Sequence, residues 1–441
     1  MKPFTLLQAG LFALVWSLPG GPLIGVVPAQ GPPPADLAGQ RYDEGNALEI
    51  KGDYPGALSK YEEGLQVAEA SGNQKAAANN LRGIGYIKMM RDDRPGAGAL
   101  FDRARRIAEE INDQRLLAAL LLQMGDACQR WSQPREARQY YEEALKIGEE
   151  TQDKKAIAAA SIAMGNVYQR QDQNARAAEY YLKALPIDEE LGNRKGMATV
   201  LNNLGTLSMK RRSYEEAIAY YQRALKIREE LGDKKGKATT VHNLGIVYEN
   251  QGSYRKALDH YQEARRWTEE LGDRMGLPES LGSIGGVYEL QGAYETAVEY
   301  YQKALQMAEE LGGQWQTAVA LNLLGGARHA QGFYEEAVAS YQRALRILAA
   351  LGHKKSIATL LNNLGNMHAE QGLYEKATGY YEESLKIREA LEDNKMGLAQ
   401  TLNNIGVVYQ RQAVYDRAAQ YYQRALQIKE EIGDRGGRPR R

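Results

Sequence analysis

The sequence predicts an all-α solenoid, a fold in which helical hairpins stack side by side. Three observations predict it: a glycine recurs at a step of forty residues, apolar residues around it have helical spacing, and small residues recur at the same positions of the copies. The glycines are Gly45, Gly85, Gly125, Gly165, Gly205, Gly245, Gly285, Gly325, Gly365 and Gly406, with one extra residue before the last. Self-similarity at a fixed period of this length is the signature of a repeat array.

The copy from Asp233 to Gly272 illustrates how each repeat forms two helices. Apolar and small residues between Ala238 and Tyr248 recur at three- and four-residue steps, which places them on one helical face. After a turn, the segment Tyr254–Leu271 repeats this spacing and stops at Gly272, a favoured helix terminator. Asp233 is predicted to cap the first helix by accepting its free amide hydrogens. Because neither helix buries its apolar stripe alone, neighbouring hairpins must stack to form a continuous core.

Small residues and tyrosines stand at fixed distances from each glycine. Alanines follow Gly245 by twelve and nineteen residues, at Ala257 and Ala264, and a tyrosine follows it by sixteen, at Tyr261. This pattern resembles the tetratricopeptide repeat, which ordinarily has about thirty-four residues. The forty-residue form is similar to the repeats of kinesin light chains, of Pins-type adaptors and of bacterial multi-repeat proteins. The resemblance implies a right-handed superhelical solenoid of about ten helix-turn-helix repeats, with a concave groove that binds proteins or extended peptides.

Other repeat families have similar periods, among them HEAT, armadillo and WD40 repeats. Helical spacing excludes the WD40 propeller. The regular small residues and the second-helix tyrosines favour the tetratricopeptide interpretation over HEAT repeats.

Four segments are predicted along the chain. Residues 1–29 have the features of a secretory signal peptide, because Met1-Lys2 precede a thirteen-residue apolar stretch and small residues lead to Ala29. The alternative is an uncleaved N-terminal anchor, which would be the chain's one membrane contact. Residues 30–38 are predicted to be a Pro-rich linker, 39–434 the array of ten repeats, and 435–441 a basic tail. The signal predicts export to the periplasm or the cell exterior, in a bacterial envelope.

Composition and motifs argue against catalysis and against nucleic acid. Lys+Arg and Asp+Glu number 56 each and are spread through the repeats, so no basic field is available for nucleic acid. The single cysteine, Cys128, excludes an internal disulfide framework and a cysteine-based zinc site. The histidines never adopt H-x-x-x-H spacing, and phosphate-loop, nucleophile-elbow and dinucleotide motifs are absent. The chain is therefore predicted to be non-enzymatic, without cofactor or metal.

Asparagines cluster on the side of the first helix that faces away from its partner. Leu204 and Gly205 face the partner helix, so residues two and three before the glycine, and one, four and five after it, face the other way. In the tetratricopeptide family that side lines the groove. The predicted peptide-binding residues are Asn166, Asn202, Asn203, Asn243, Asn322, Asn362, Asn363, Asn366, Asn403 and Asn404, with the cations Arg170, Lys210 and Arg411.

An amide offers both a donor and an acceptor, so a ladder of asparagines can bind the main chain of an extended peptide whatever its side chains. The alternative for each asparagine is a hydrogen bond to a neighbouring helix or to water. The preferred function is a non-enzymatic interaction scaffold for an extended peptide or a partner protein. The alternative function is an N-terminal sensor or regulatory arm of a longer protein with a caspase-like peptidase or signalling domain, because residues 430–435 look like the start of an uncapped further repeat.

Overall fold

Every repeat is a pair of α-helices in the computed structural model, which describes residues 34–131, 133–391 and 395–434. No β-strand occurs within those ranges, so the all-α solenoid class is confirmed. The helices are α1 Pro34–Ile50, α2 Tyr54–Ser71, α3 Gln74–Met90, α4 Arg94–Glu110, α5 Gln114–Arg130, α6 Pro134–Glu150, α7 Lys154–Arg170, α8 Asn174–Glu190, α9 Arg194–Lys210, α10 Tyr214–Glu230, α11 Lys234–Asn250, α12 Tyr254–Glu270, α13 Leu277–Leu290, α14 Tyr294–Glu310, α15 Gln314–Ala330, α16 Tyr334–Ala350, α17 Lys354–Glu370, α18 Tyr374–Glu389, α19 Lys395–Arg411 and α20 Tyr415–Asp434.

Two compact units divide the chain, Met1–Ile107 and Ala108–Arg441, with the boundary near the end of α4. The segments predicted as a signal peptide and a basic tail lie outside the described residues. Helix α1 begins at Pro34, inside the segment predicted as a linker. Proline is tolerated in the first turn of a helix because the amide it lacks has no intrahelical partner there.

In the first unit, α1 and α2 form a hairpin, and α3 packs against both helices. Its core includes Tyr61 and Ile84, which are buried. Charged side chains also link the hairpin, since Arg41 Nε lies 3.1 Å from Glu63 Oε2.

In the second unit, odd-numbered helices from α5 to α19 are the first helices of their repeats, and even-numbered helices are the second. Each second helix from α6 to α18 packs against the first helix of the next repeat, and first helices of consecutive repeats also touch at α5–α7, α9–α11, α13–α15, α15–α17 and α17–α19. We call the side of α5 to α19 that faces away from the second helices the first-helix face. In α7 it comprises residues 162, 163, 166, 169 and 170, and the other helices contribute the equivalent positions.

The repeat glycine makes room for a buried tyrosine ring. A methyl group built at Gly205 would lie 2.8 Å from Cε1 of Tyr221, and one at Gly245 would lie 2.6 Å from Cε1 of Tyr261. Both rings are buried, with at most 1% of their surface exposed. The conserved spacing of sixteen residues within the chain therefore reflects a ring packed directly against the glycine backbone.

Helix ends follow the predicted chemistry. The side chain of Asp233 accepts from the Gly236 amide at 2.9 Å, which confirms it as the cap of α11. Gly232 and Gly252 adopt the left-handed conformation, with φ of 67° and 73°, as helix-terminating glycines do. One helix interior departs from this order: α8 continues to Glu190 although Pro186 lies inside it.

Candidate functional site

The asparagines of consecutive first helices are hydrogen-bonded to one another. Between α7 and α9, Asn203 Nδ2 donates to Asn166 Oδ1 at 3.0 Å. Between α9 and α11, Asn243 Nδ2 donates to Asn202 Oδ1 at 3.2 Å. In each bond the later repeat supplies the donor, so these four amides share one orientation along the first-helix face.

A second set of asparagines connects α15, α17 and α19. Asn363 Nδ2 donates to Asn322 Oδ1 at 3.0 Å, and Asn404 Nδ2 donates to Asn362 Oδ1 at 3.2 Å and to Asn366 Oδ1 at 3.0 Å. The two sets are separated by α13, which carries Gly282 and Ser283 at the positions where other first helices carry asparagine. The predicted ladder is thus two blocks, α7–α11 and α15–α19.

The asparagines differ in which amide hydrogens and oxygens remain available to a ligand. Asn243 and Asn363 each use one amide hydrogen, so each keeps its second amide hydrogen and its Oδ1 without a partner among the described residues. Asn203 also donates to the Tyr181 hydroxyl, so it keeps its Oδ1 alone. Asn362 is only 4% exposed, and its Oδ1 accepts from Thr401 as well as from Asn404. The structure therefore places Asn362 as a support for its neighbours, beneath the surface that a ligand would touch.

The three predicted cations all reach back to the preceding repeat. Arg170 Nη1 donates to Gln129 Oε1 at 2.7 Å, and Arg411 Nη1 donates to the Ala369 carbonyl at 3.2 Å. Lys210 Nζ lies 3.2 Å from Asp172 Oδ1. Of these three cations, Arg170 contacts a neutral side chain, whereas Lys210 contacts a carboxylate and Arg411 a backbone carbonyl.

Sequence reasoning missed a set of polar residues that connect the core to the first-helix face. The hydroxyl of the tyrosine sixteen residues after the repeat glycine bonds the residue one or four positions after that glycine, at 2.6–2.9 Å. The pairs are Tyr61 with Asn46 and Glu49, Tyr141 with Asp126, Tyr181 with Asn166 and Gln169, Tyr221 with Thr206, Tyr261 with Glu249, Tyr301 with Glu289, Tyr381 with Asn366, and Tyr422 with Gln410.

The sequence signal that could have revealed these hydrogen bonds is the complementary choice of residues one and four positions after the repeat glycine. Where Ile246 or Gly286 follows the glycine and offers no side-chain acceptor, the position three residues later holds Glu249 or Glu289. Phe101 replaces the tyrosine in the second repeat and has no hydroxyl to satisfy. Burial raises the pKa of the phenols, to about 12 for Tyr221, so they remain protonated donors at neutral pH.

Charge changes sign along the first-helix face. Arg130, Arg170 and Lys210 occupy the fifth position after the glycine in α5, α7 and α9. Glu249 and Glu289 follow at the fourth position in α11 and α13, and burial raises the pKa of Glu249. The cationic stretch and the acidic stretch are therefore consecutive, with three first helices in the former and two in the latter.

A pocket of about 690 Å³ lies in the cationic stretch, between α5, α7 and α9. Its lining includes Asp126, Arg130, Asn166, Arg170, Asn193, Lys195 and Thr199. A smaller pocket of about 120 Å³ lies beside Asn322 and is bordered by Trp315, which is 40% exposed. Both asparagine blocks thus have a concavity next to them.

The described residues also bear on metal binding, on thiol reactivity and on membrane spanning. They contain no group of three or more His, Cys, Asp or Glu side chains placed to hold a metal ion. Burial raises the pKa of the Cys128 thiol to about 11, which disfavours the nucleophilic thiolate. None of the described helices is long and apolar enough to cross a bilayer.

Comparisons with known proteins agree with the repeat pattern. The family model described as tetratricopeptide repeat matches residues 76–150, 196–270, 276–350 and 356–431. A second model with the same description matches residues 160–195. Comparison of the sequence with curated proteins gives no significant match.

Solved structures share the fold at low sequence identity. A Rap protein complexed with competence and sporulation factor is 17% identical, with a TM-score of 0.54 over 81% of this chain and 99% of that one. Aspartyl phosphate phosphatase F from Bacillus subtilis is 16% identical, with a TM-score of 0.54 over 82% of this chain and 97% of that one. A signal transduction ATPase with a tetratricopeptide repeat sensor, from Pyrococcus horikoshii, is 18% identical, with a TM-score of 0.56 over 72% of this chain and 48% of that one.

Proposed function

Because the chain belongs to the tetratricopeptide repeat family, whose repeats imply a role in protein interaction, we propose that it is a non-enzymatic scaffold that binds an extended peptide. The peptide lies along the first-helix face of the second unit. It contacts the two asparagine blocks, with Asn203, Asn243, Asn363 and Asn404 as the residues that touch its main chain.

The shared orientation of the cross-linked amides carries this proposal. A hydrogen bond that each of these side chains donates to the preceding repeat fixes it before a ligand arrives, so little rotamer entropy is lost on binding. Neighbouring packed helices lie about 8–10 Å apart, and an extended peptide advances about 3.3 Å per residue. Consecutive asparagines would therefore meet the peptide main chain about every third residue. That interval lets ligand side chains between the contacts vary.

Solved relatives are compatible with a bound partner. The Rap structure contains the competence and sporulation factor, so this fold accommodates a factor in at least one protein. The sensor region of the signal transduction ATPase has the same fold, and a sensor arm remains the second candidate function for this chain. At these identities, the likeness extends to the fold alone.

Residues 1–29 support the proposal that this scaffold acts outside the cytoplasm, in the periplasm or at the cell exterior. Fractionation of cells that express the whole chain, followed by N-terminal sequencing, tests this placement. An N-terminus close to Gln30 in the envelope or external fraction is expected. An intact Met1 in the cytoplasmic fraction would refute it.

The test of peptide binding is a four-site variant, Asn203→Ala, Asn243→Ala, Asn363→Ala and Asn404→Ala. Its matched control removes four exposed amides from second helices, with Gln222→Ala, Gln262→Ala, Gln302→Ala and Gln342→Ala. Both are used to capture partners from an envelope extract, below the melting temperature of each variant. We expect wild type and control to capture the same partners and the asparagine variant to lose them. Equal capture by all three would assign the asparagines to repeat packing alone.

A further inference from the structure

We propose that the pocket between α5, α7 and α9 selects an acidic segment of the bound peptide. This inference rests on the proposed function and adds a side-chain preference to main-chain binding. It commits to carboxylate side chains in an extended peptide as the ligand chemistry.

The cations of the pocket are available to a ligand. Arg130 and Arg170 stand at equivalent positions of α5 and α7, and Lys195 lies in the first turn of α9; all three are exposed. Among the described residues, Arg130 and Lys195 pair with no carboxylate, and Arg170 contacts only the neutral Gln129. Other exposed cations of the second unit do pair with carboxylates, as Lys154 does with Glu190 and Lys183 with Glu149. Unpaired cations that line a concavity favour an anionic occupant.

Asn166, one of the two asparagines that line the pocket, is turned to donate. Asn166 Oδ1 already accepts from Tyr181 at 2.6 Å and from Asn203 at 3.0 Å. What remains for a ligand is the Nδ2 group, which has no partner among the described residues and can only donate. A donor that lines the same pocket as two guanidinium groups suits a carboxylate, which only accepts when ionised.

One carboxylate lines the same pocket. Asp126 accepts from the Tyr141 hydroxyl at 2.6 Å, and desolvation raises the pKa of Asp126. Its side chain is nevertheless exposed at the rim, so it opposes an acidic ligand to some extent. The equivalent residue in three other repeats is asparagine, at Asn46, Asn166 and Asn366. Replacement by asparagine thus keeps an acceptor for the tyrosine while removing the charge.

The neighbouring stretch of the first-helix face limits where the acidic segment can bind. Glu249 and Glu289 occupy the face on α11 and α13, directly beyond the cations. Like charges would repel an acidic segment from this stretch, which confines it to α5–α9. A nucleic acid fits less well, because single strands need exposed aromatic rings for base stacking and Tyr141, the aromatic residue of this pocket, is 2% exposed.

Fluorescence anisotropy with labelled alternating peptides tests the inference on the full chain. The probes are glutamate–serine, glutamine–serine and lysine–serine peptides of equal length. The test variant is Arg130→Glu with Arg170→Glu. The control is Lys226→Glu with Arg346→Glu, which replaces exposed cations of the second helices α10 and α16 that pair with no carboxylate among the described residues. Circular dichroism is used to check that both variants keep their helices.

We expect the glutamate–serine peptide to bind wild type and control equally and to bind the test variant at least about tenfold more weakly. The lysine–serine peptide should gain affinity for the test variant, and Asp126→Asn should tighten the glutamate–serine complex. Equal binding of the glutamate and glutamine peptides, unchanged in the test variant, would overturn the acidic preference and leave the proposed function intact. Failure of all three peptides to bind would count against both. Preferential binding of an oligothymidine probe would replace the peptide with nucleic acid.

Discussion

At the scale of single residues, the repeat glycine and its tyrosine form one packing unit, and the glycine is required by distance. In the repeat that contains α17 and α18, a methyl group at Gly365 would lie 2.5 Å from Cε1 of Tyr381, whereas one at Gly379 would meet nothing within 4 Å. Both glycines are helical. The same substitution should therefore have opposite effects at these two positions.

We expect Gly365→Ala to lower the free energy of unfolding by about 1–3 kcal/mol, because the core must move to admit the methyl group. Gly379→Ala should raise it by about 0.5–1 kcal/mol, because alanine loses less backbone entropy in a helix. Urea unfolding followed by circular dichroism measures both. Destabilisation of similar size by both substitutions would contradict the packing argument.

The tyrosine hydroxyl can be separated from the ring by a second comparison. Tyr181→Phe removes hydrogen bonds to Asn166 at 2.6 Å and Gln169 at 2.7 Å, so a loss of about 1 kcal/mol is expected. Tyr341 makes no hydrogen bond to the described residues, and Gly326 and His329 stand at its two partner positions. Tyr341→Phe should therefore change the unfolding free energy by less than about 0.5 kcal/mol. A larger effect at Tyr341 than at Tyr181 would show that the hydroxyl bonds are not what stabilises the unit.

At the scale of helices, local rules explain most boundaries, and α8 is the exception. Pro186 is exposed in the interior of α8, where Lys146, Lys226 and Lys386 stand in equivalent helices. Proline there cannot donate to the Leu182 carbonyl, one turn earlier in the helix. Neighbouring helices hold α8 in place despite this loss, so tertiary packing overrides propensity.

Pro186→Lys should raise the melting temperature and add about 1–3 kcal/mol to the free energy of unfolding, because it restores an amide donor at an exposed site. The control is Pro134→Ala, at the first residue of α6, where no intrahelical bond is missing. That substitution should be close to neutral. An unchanged or lower melting temperature for Pro186→Lys would mean that α8 is shaped to fit proline.

The same contrast explains what could be predicted from the sequence. Helix pairing, the cap at Asp233 and the glycine–tyrosine contact follow from spacing within one repeat, and all three were predictable. The partners of the asparagines depend on distances between repeats. Periodicity placed Asn203 and Asn362 on the same side of the first helices. It could not show that Asn203 is partly exposed whereas Asn362 is buried. The pocket also escaped prediction, since most of its lining comes from α5, α7 and α9, which belong to three different repeats.

At the scale of the whole molecule, repetition multiplies small effects, and the buried phenols show this best. Burial raises the pKa of Tyr221 and of Tyr341 from 10.0 to about 12. Unfolding returns each phenol to water, where it ionises near pH 10. The unfolded chain therefore binds fewer protons than the folded chain between about pH 10 and pH 12. The stabilisation is complete below about pH 10 and is lost as the pH rises through the folded pKa.

Urea unfolding at about pH 9 and about pH 11 should show a marked fall in stability, at up to about 1.4 kcal/mol per pH unit for each such tyrosine. A Tyr221→Phe and Tyr341→Phe double variant should show a shallower fall, because phenylalanine does not titrate. Lysine deprotonation affects both proteins alike. Identical slopes for the variant and the wild type would refute the assignment.

The hydrogen bonds from the core tyrosines to the first-helix face restrict how this protein can evolve. A repeat that lacks an acceptor one position after the glycine keeps its hydroxyl bonded if the fourth position supplies one. Otherwise the hydroxyl is absent, as in the repeat of Phe101, or has no hydrogen bond to the described residues, as at Tyr341. We therefore expect substitutions at these two positions of the first-helix face to depend on each other and on the tyrosine of the same repeat. Libraries that vary both positions together should yield more folded members than libraries that vary either one alone. Redesign of the first-helix face therefore has to treat the two positions as a pair.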